Sequence, residues 1–221
     1  MPTVLGVPEP VNRRPYRSPL RAEQARATRH RVIGTAVALF LARGYAGTTL
    51  AAVAADAAVS VDTVFHLFGN KRGLLRAAMD AVIGGDDDDL PLLERPDPQA
   101  MRAETDPHRQ IALFAHGIRG QLERIAPVDG MLRSAAAVDP DVAALREDLQ
   151  QRQRRQAMET VAGWIASRST LRDEMSVDEA AAVLWTLTSP EVHHMLRVDW
   201  AWPPDRYEDW LRTTLQRSLL P

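Results

Sequence analysis

Few residues in this chain have the types and spacing for chemistry. Glu191 and His194 form an E-x-x-H pair with His193 beside it. On a helix that spacing puts a carboxylate and an imidazole on one face, as in carboxylate-bundle metal sites. Such a bundle needs two pairs and further glutamates on facing helices, and a second pair is missing. Glu191 and His194 are therefore expected to be ordinary polar residues. Cysteine is absent, which excludes thiolate metal sites, disulfides and cysteine nucleophiles. No G-x-S-x-G, H-E-x-x-H, P-loop or G-x-G-x-x-G is present, so no catalytic residue, metal or cofactor is expected. A second group is rich in donors rather than nucleophiles: Thr48, Thr49, Ser60, Thr63 and Lys71, the one lysine of the chain. Hydroxyls, a lysine and nearby arginines are the chemistry of phosphate binding.

The charge distribution supports that chemistry in one part of the chain only. Of 221 residues, 45% are hydrophobic and 25% charged, as in an ordinary globular protein, and the net charge is -2. Up to Ile83, 11 basic residues face 5 acidic ones; beyond it, 16 arginines face 24 acidic residues. A +6 segment thus precedes a -8 body, the pattern of a polyanion-binding module joined to something else. No apolar run is long enough for a membrane span and no signal-like start is seen, so a cytoplasmic protein without a membrane partner is expected.

Punctuation by proline and glycine divides the chain. Residues 1–21 hold several prolines with Arg13, Arg14 and Arg17 and read as a flexible basic arm. Residues 22–83 read as helices, 84–105 as a linker rich in Gly, Asp and Pro, and 106–221 as helices again. Asp106-Pro107, Pro127, Asp139-Pro140, Ser176 with Glu179, and Pro204 mark helix starts. They predict helices over 107–125, 127–137 and 140–167, one from 176 kinked by Pro190 near 186–189, and a last one over 204–219. The fold class is all-α.

Within the basic third, Ile33, Ala36, Val37 and Phe40 form an apolar stripe on a helix over 22–43, ended by Gly44. Thr48 and Thr49 can cap a short helix over 50–57, Ser60 a helix over 61–68, and Asn70 a fourth over 71–83. Two short helices joined by the tight turn 57–60, with small Ala54 at the crossing and Val59 and Val64 in the angle, make a helix-turn-helix. Its third helix is the one that enters a DNA major groove.

Between 28 and 81 the motifs GY-x-x-TT, A-x-x-A-x-VS and NK-x-x-LL resemble those of the TetR family of transcriptional regulators. LWTLTSPEV at 184–192 and WPPDRYEDWLRTTLQRSLL at 202–220 resemble an actinobacterial-type subgroup. The resemblance implies an N-terminal helix-turn-helix domain, motif about 49–68, and a C-terminal helical bundle for ligand binding and dimerisation. It implies a homodimer on double-stranded operator DNA, a repressor released by a small-molecule effector. Contacts are implied at Thr48 and Thr49, at Ser60, Val61, Asp62, Thr63, Phe65 and His66, and at Lys71. Arg26 and Arg29 are expected to add phosphate contacts. Asp62 is either an acceptor for a cytosine amino group or a first-turn carboxylate that suits the helix dipole. Three positions depart from the family pattern: Ala58 stands for a turn glycine, Phe65 for a tyrosine and Leu67 for a polar residue.

In the acidic body, Phe114, Met131, Trp164 and Trp185 are expected to line an apolar effector pocket, with His116 as its polar anchor. The effector is then hydrophobic or amphipathic. Leu184, Leu187, Leu211, Leu215 and Leu219 lie on the helices that the resemblance assigns to the dimer, although they could equally serve the chain's own core. A helical-bundle enzyme or carrier with a degenerate helix-turn-helix is the alternative reading.

Overall fold

The computed structural model describes residues 19–86, 88 and 90–221, and the arginines at 13, 14 and 17 lie outside them. Helices make up the regular structure, with no strand among the described residues. The basic third is α1 (Pro19–Gly47), α2 (Leu50–Asp56), α3 (Val61–Phe68) and α4 (Lys71–Gly84). Short α5 (Pro96–Ala103) follows, preceded by a single 3-10 turn at Leu92–Glu94. The body contains α6 (Pro107–Ala136), α7 (Pro140–Glu147), α8 (Arg155–Ala166), α9 (Val177–Leu187), α10 (Pro190–His194) and α11 (Pro204–Leu219). No single helix among the described residues is long and apolar enough to cross a membrane.

The caps form where short side chains precede the helices. Asp106 accepts from the His108 N–H at 2.9 Å, and Asp139 accepts from Asp141 and Val142 at 3.0 and 3.2 Å. Ser176 and Glu179 make a reciprocal capping box. At two prolines the expectation fails. Pro127 does not open a new helix; it lies inside the continuous 30-residue α6. Its ring sits on the exposed side of α6. On the opposite side Ile111, Phe114, Ile118 and Leu122 pack before it, and Val128, Leu132 and Ala135 after it. Burial on both sides outweighs the roughly 3 kcal/mol cost of an interior proline. At Pro190 the helix stops rather than kinks. Ser189 leaves the helical basin (φ -70°, ψ 147°) and caps α10 by accepting from Val192. The helix expected over 140–167 is one path of α7, a π-turn at Asp148–Arg154 and α8.

Two apolar clusters result. One joins α5, the first half of α6, α8, α9 and α11, and buries Leu184, Leu211, Leu215 and Leu219 completely. These leucines, together with half-buried Leu187, therefore serve the chain's own core. The other joins α1–α4 to the second half of α6 and to α7, through Val128, Leu132, Val142 and Leu145.

The turn between α2 and α3 carries strain that the sequence foretold. Ala58 has φ 52°, in the left-handed region that disfavours a Cβ. Ala58→Gly is expected to stabilise the protein by about 1 kcal/mol, read as a rise of about 2–4 °C in thermal midpoint. An unchanged or lower midpoint would refute this account of the turn.

Candidate functional site

The helix-turn-helix forms one exposed face from three helix starts. Thr49 is exposed and caps α2, accepting from the Ala52 N–H at 3.1 Å. Its own hydroxyl proton stays available to a phosphate. Ser60 caps α3, accepting from Thr63 at 3.1 Å and sharing a 2.8 Å hydrogen bond with the Thr63 hydroxyl. Fully buried Val64 anchors α3, which leaves Val61, Asp62, Phe65 and His66 outward. Phe65 is 61% exposed and Val61 46%. Apolar groups so presented match the methyl of thymine.

Thr48, expected with the DNA-contacting residues, faces inward. It is 1% exposed and its hydroxyl donates to the carbonyls of Leu39 and Gly44. Thr48 thus locks the turn that presents Thr49. Arg26 is exposed near the start of α1, whereas the Arg29 guanidinium lies 5.1 Å from the centre of the Phe68 ring, against the end of α3. Gln24 and Thr28, one turn apart on α1, share a shallow groove with Asp62, Thr63, His66 and Leu67 of α3. Their i, i+4 spacing was the available signal for them.

Lys71 sits at the first turn of α4. Its ammonium lies 4.2 Å from the centre of the Tyr45 ring and donates to the Ala46 carbonyl at 3.4 Å. Partial burial draws its pKa below the usual lysine value. The aromatic face and carbonyl hold the charge beside the α2 start rather than letting it sweep through solvent. Lys71→Ala is expected to weaken binding to operator and unrelated DNA alike, and to lower the salt slope by about one unit. Unchanged binding at low salt would remove Lys71 from the interface.

The second feature is a cavity of about 450 Å³ between the 84–98 segment, α6 and α8. Its apolar wall includes Leu93, Met101, Phe114, Ile118, Val161 and Trp164. Phe114 and Trp164 were expected there; three other residues were not placed correctly. His116 is exposed and bonds Glu208 at 3.0 Å. Met131 packs in the cluster around α1–α4. Trp185 lies under the Arg154 guanidinium and lines no part of the cavity. Glu191 and His194, the E-x-x-H pair, turn to different partners, Arg146 at 3.4 Å and Asp199 at 3.8 Å.

The polar rim of the cavity grips the end of α4. Arg95 donates to the Gly84 carbonyl at 3.0 Å and pairs with Asp86 at 2.7 Å. That ion pair holds the Asp86 carboxyl below the ordinary aspartate range. Gln121 donates to Ile83 at 3.3 Å, and Arg124 to Val82 and Ile83 at 3.3 and 3.4 Å. The last carbonyls of a helix lack intrahelical donors, and these three side chains supply them. Arg95, Gln121 and Arg124 all line the cavity. The segment read as a linker thus forms a wall. Leu90, Leu92 and Leu93 inside an acidic, proline-rich run were the signal that could have shown it.

A basic, capped helix-turn-helix on a helical body defines a DNA-binding protein of the regulator class. Residues 32–78 match the family of bacterial regulatory proteins, tetR family. The DNA-binding domain is that of a TetR-family transcriptional regulator. No curated protein has a matching sequence. Among solved structures, NalD, the secondary repressor of the MexAB-OprM multidrug efflux pump in Pseudomonas aeruginosa, is similar with a TM-score of 0.66 and 21% identity. That match covers 90% of this chain and 98% of NalD. A protein from Saccharomonospora viridis described as a transcriptional regulator, in complex with choline, matches with a TM-score of 0.64 and 18% identity, over 88% of this chain and 98% of its own. At these identities the matches establish the fold.

Proposed function

We propose that the protein is a cytoplasmic, homodimeric repressor that reads a palindromic operator and is released by a small molecule bound in the cavity. One observation carries this reading: the side chains that line the cavity also hold the C-terminal carbonyls of α4. A ligand that competes for Arg95 or Arg124, or pushes the 84–95 segment, changes the position of α4. The recognition helices of a dimer must sit about 34–36 Å apart to enter successive major grooves. Ligand and operator affinities are then coupled reciprocally. The body's negative charge keeps it off the phosphates, and α3 turns its face to the groove. Exposed Met195, Val198 and Trp200, beside α11, supply an apolar surface for the second subunit. The NalD likeness supports repression, and the choline complex of the second relative supports a small-molecule ligand.

The test is a gel shift with the protein's own upstream DNA at two salt concentrations, repeated across a small-molecule library. A specific shift relieved by a compound that also binds the protein is expected. No shift with any genomic fragment would overturn the reading and favour a helical carrier.

A further inference from the structure

Behind the cavity lies a polar group of side chains that the release mechanism does not use. Arg154, Met158 and Val161 fall at i, i+4 and i+7, so they share one helical face. Met158 and Val161 line the cavity. Arg154 ends the π-turn and points toward α9. Its guanidinium lies 5.0 Å from the centre of the Trp185 ring, donates to the Trp185 carbonyl, and bonds the Thr188 hydroxyl at 3.1 Å. The same hydroxyl is 3.7 Å from the Met158 sulfur. The flexible Met158 thioether thus links the cavity wall to the hydroxyl that Arg154 bonds.

The charge there has no ion-pair partner among the described residues, and Glu191, which acts on it from a distance, pairs with Arg146. Burial draws the Arg154 pKa down to about 10. Donors around it are idle as well. Among the described residues the fully buried Tyr207 hydroxyl has no hydrogen-bond partner, nor has either ring nitrogen of buried His193, nor the Trp185 indole N–H. His193 meets Tyr207 edge to face at 5.0 Å. Proteins rarely leave so many polar atoms unsatisfied unless something else binds them.

We infer that this group is an anion subsite at the inner end of the cavity, made for the carboxylate of an amphipathic monoanion. The apolar part of that molecule lies along Phe114, Ile118, Val161 and Trp164. Met158 turns aside, and the carboxylate accepts from Arg154 and the Tyr207 hydroxyl. The inference rests on the cavity being a ligand site and adds the class of ligand.

Decanoate, 1-decanol and decyltrimethylammonium, titrated at pH 7.5 by calorimetry and tryptophan fluorescence, test it. Decanoate is expected to bind at least about tenfold more tightly than the other two. Arg154→Met should bring decanoate down to the affinity of decanol and leave decanol unchanged. Tyr207→Phe should cost decanoate about threefold, and it stands in if the Arg154 variant fails to fold. Equal binding of decanoate and decanol to the wild type would overturn the subsite and leave the cavity standing. Binding of none of the three would overturn both. A decanoate preference that survives in the Arg154 and Tyr207 variants and disappears in Arg124→Ala would overturn the subsite by moving the carboxylate to the rim.

Discussion

Replacing both Arg95 and Arg124 by Ala is expected to weaken operator binding about tenfold while nonspecific DNA binding keeps its salt slope. The two guanidiniums and Gln121 satisfy the carbonyls of Val82, Ile83 and Gly84. Without the arginines, α4 retains at its C-terminus the Gly85 N–H to Ala81 bond and the single Gln121 contact. In the proposed dimer, a loosened α4 spreads the recognition helices over many spacings. Apparent affinity falls with the fraction of molecules whose spacing fits, and a tenth of them fitting gives a tenfold loss. The phosphate contacts proposed for Thr49 and Lys71 do not depend on that spacing, so the salt slope should stay. Binding measured by fluorescence anisotropy at several salt concentrations separates the two quantities. Operator affinity equal to wild type would mean that α4 is held by its apolar face alone, through Leu74, Leu75 and Ala78.

Stability should fall steeply as pH drops from about 6.5 to about 4, because of His193. Burial, and then the charges of Arg197 and His194, push its pKa from 6.5 down to about 4. In the unfolded chain the imidazole takes a proton near its ordinary value. Between the two values the unfolded state binds more protons, so stability rises with pH in that window and is fully present above it. The shift corresponds to a loss of up to about 3 kcal/mol on reaching pH 4. His193→Gln, which cannot titrate, should flatten that part of the curve. Urea unfolding at pH 7, 5.5 and 4.5 reads the difference, and parallel curves for wild type and variant would sink the assignment. Carboxylates such as Asp86 and Glu179, whose pKa values are held down, lose their contribution at lower pH still.

The parts of the fold that were legible in the sequence are those decided locally. Asp106-Pro107, Asp139-Pro140 and Ser176 with Glu179 mark helix starts because a short side chain can reach an unpaired N–H two or three residues on. Ala58 was legible for the same reason, since the turn dictates its backbone whatever surrounds it. Pro127 was not, because its effect depends on which side of α6 faces solvent and on packing far away in the chain. The exposure of Thr49, Val61, Asp62, Phe65 and His66 followed from motif spacing, whereas the burial of Thr48 did not, because two adjacent threonines look alike until Gly44 and Leu39 claim one hydroxyl. The cavity was least legible. Phe114 and Trp164 belong to helices with clear periodicity, but Arg95 and Leu93 come from a stretch whose composition says linker. His116 was expected as the polar anchor, yet residues two apart on a helix point about 200° apart, so His116 faces away from Phe114 and turns to Glu208.

The 30-residue α6 has a consequence for how such proteins can be recombined. It runs about 45 Å, and its far half supplies Val128, Leu132 and Ala135 to the apolar cluster of the DNA reader. Residues 19–84 are therefore no transplantable cassette. A chimera joined at Gly84 would leave Leu74, Leu75 and Val32 facing whatever helix the new body happens to offer. A junction that carries the reader to a different sensor must bring the second half of α6 and α7 with it, so the workable exchange unit is discontinuous in the chain.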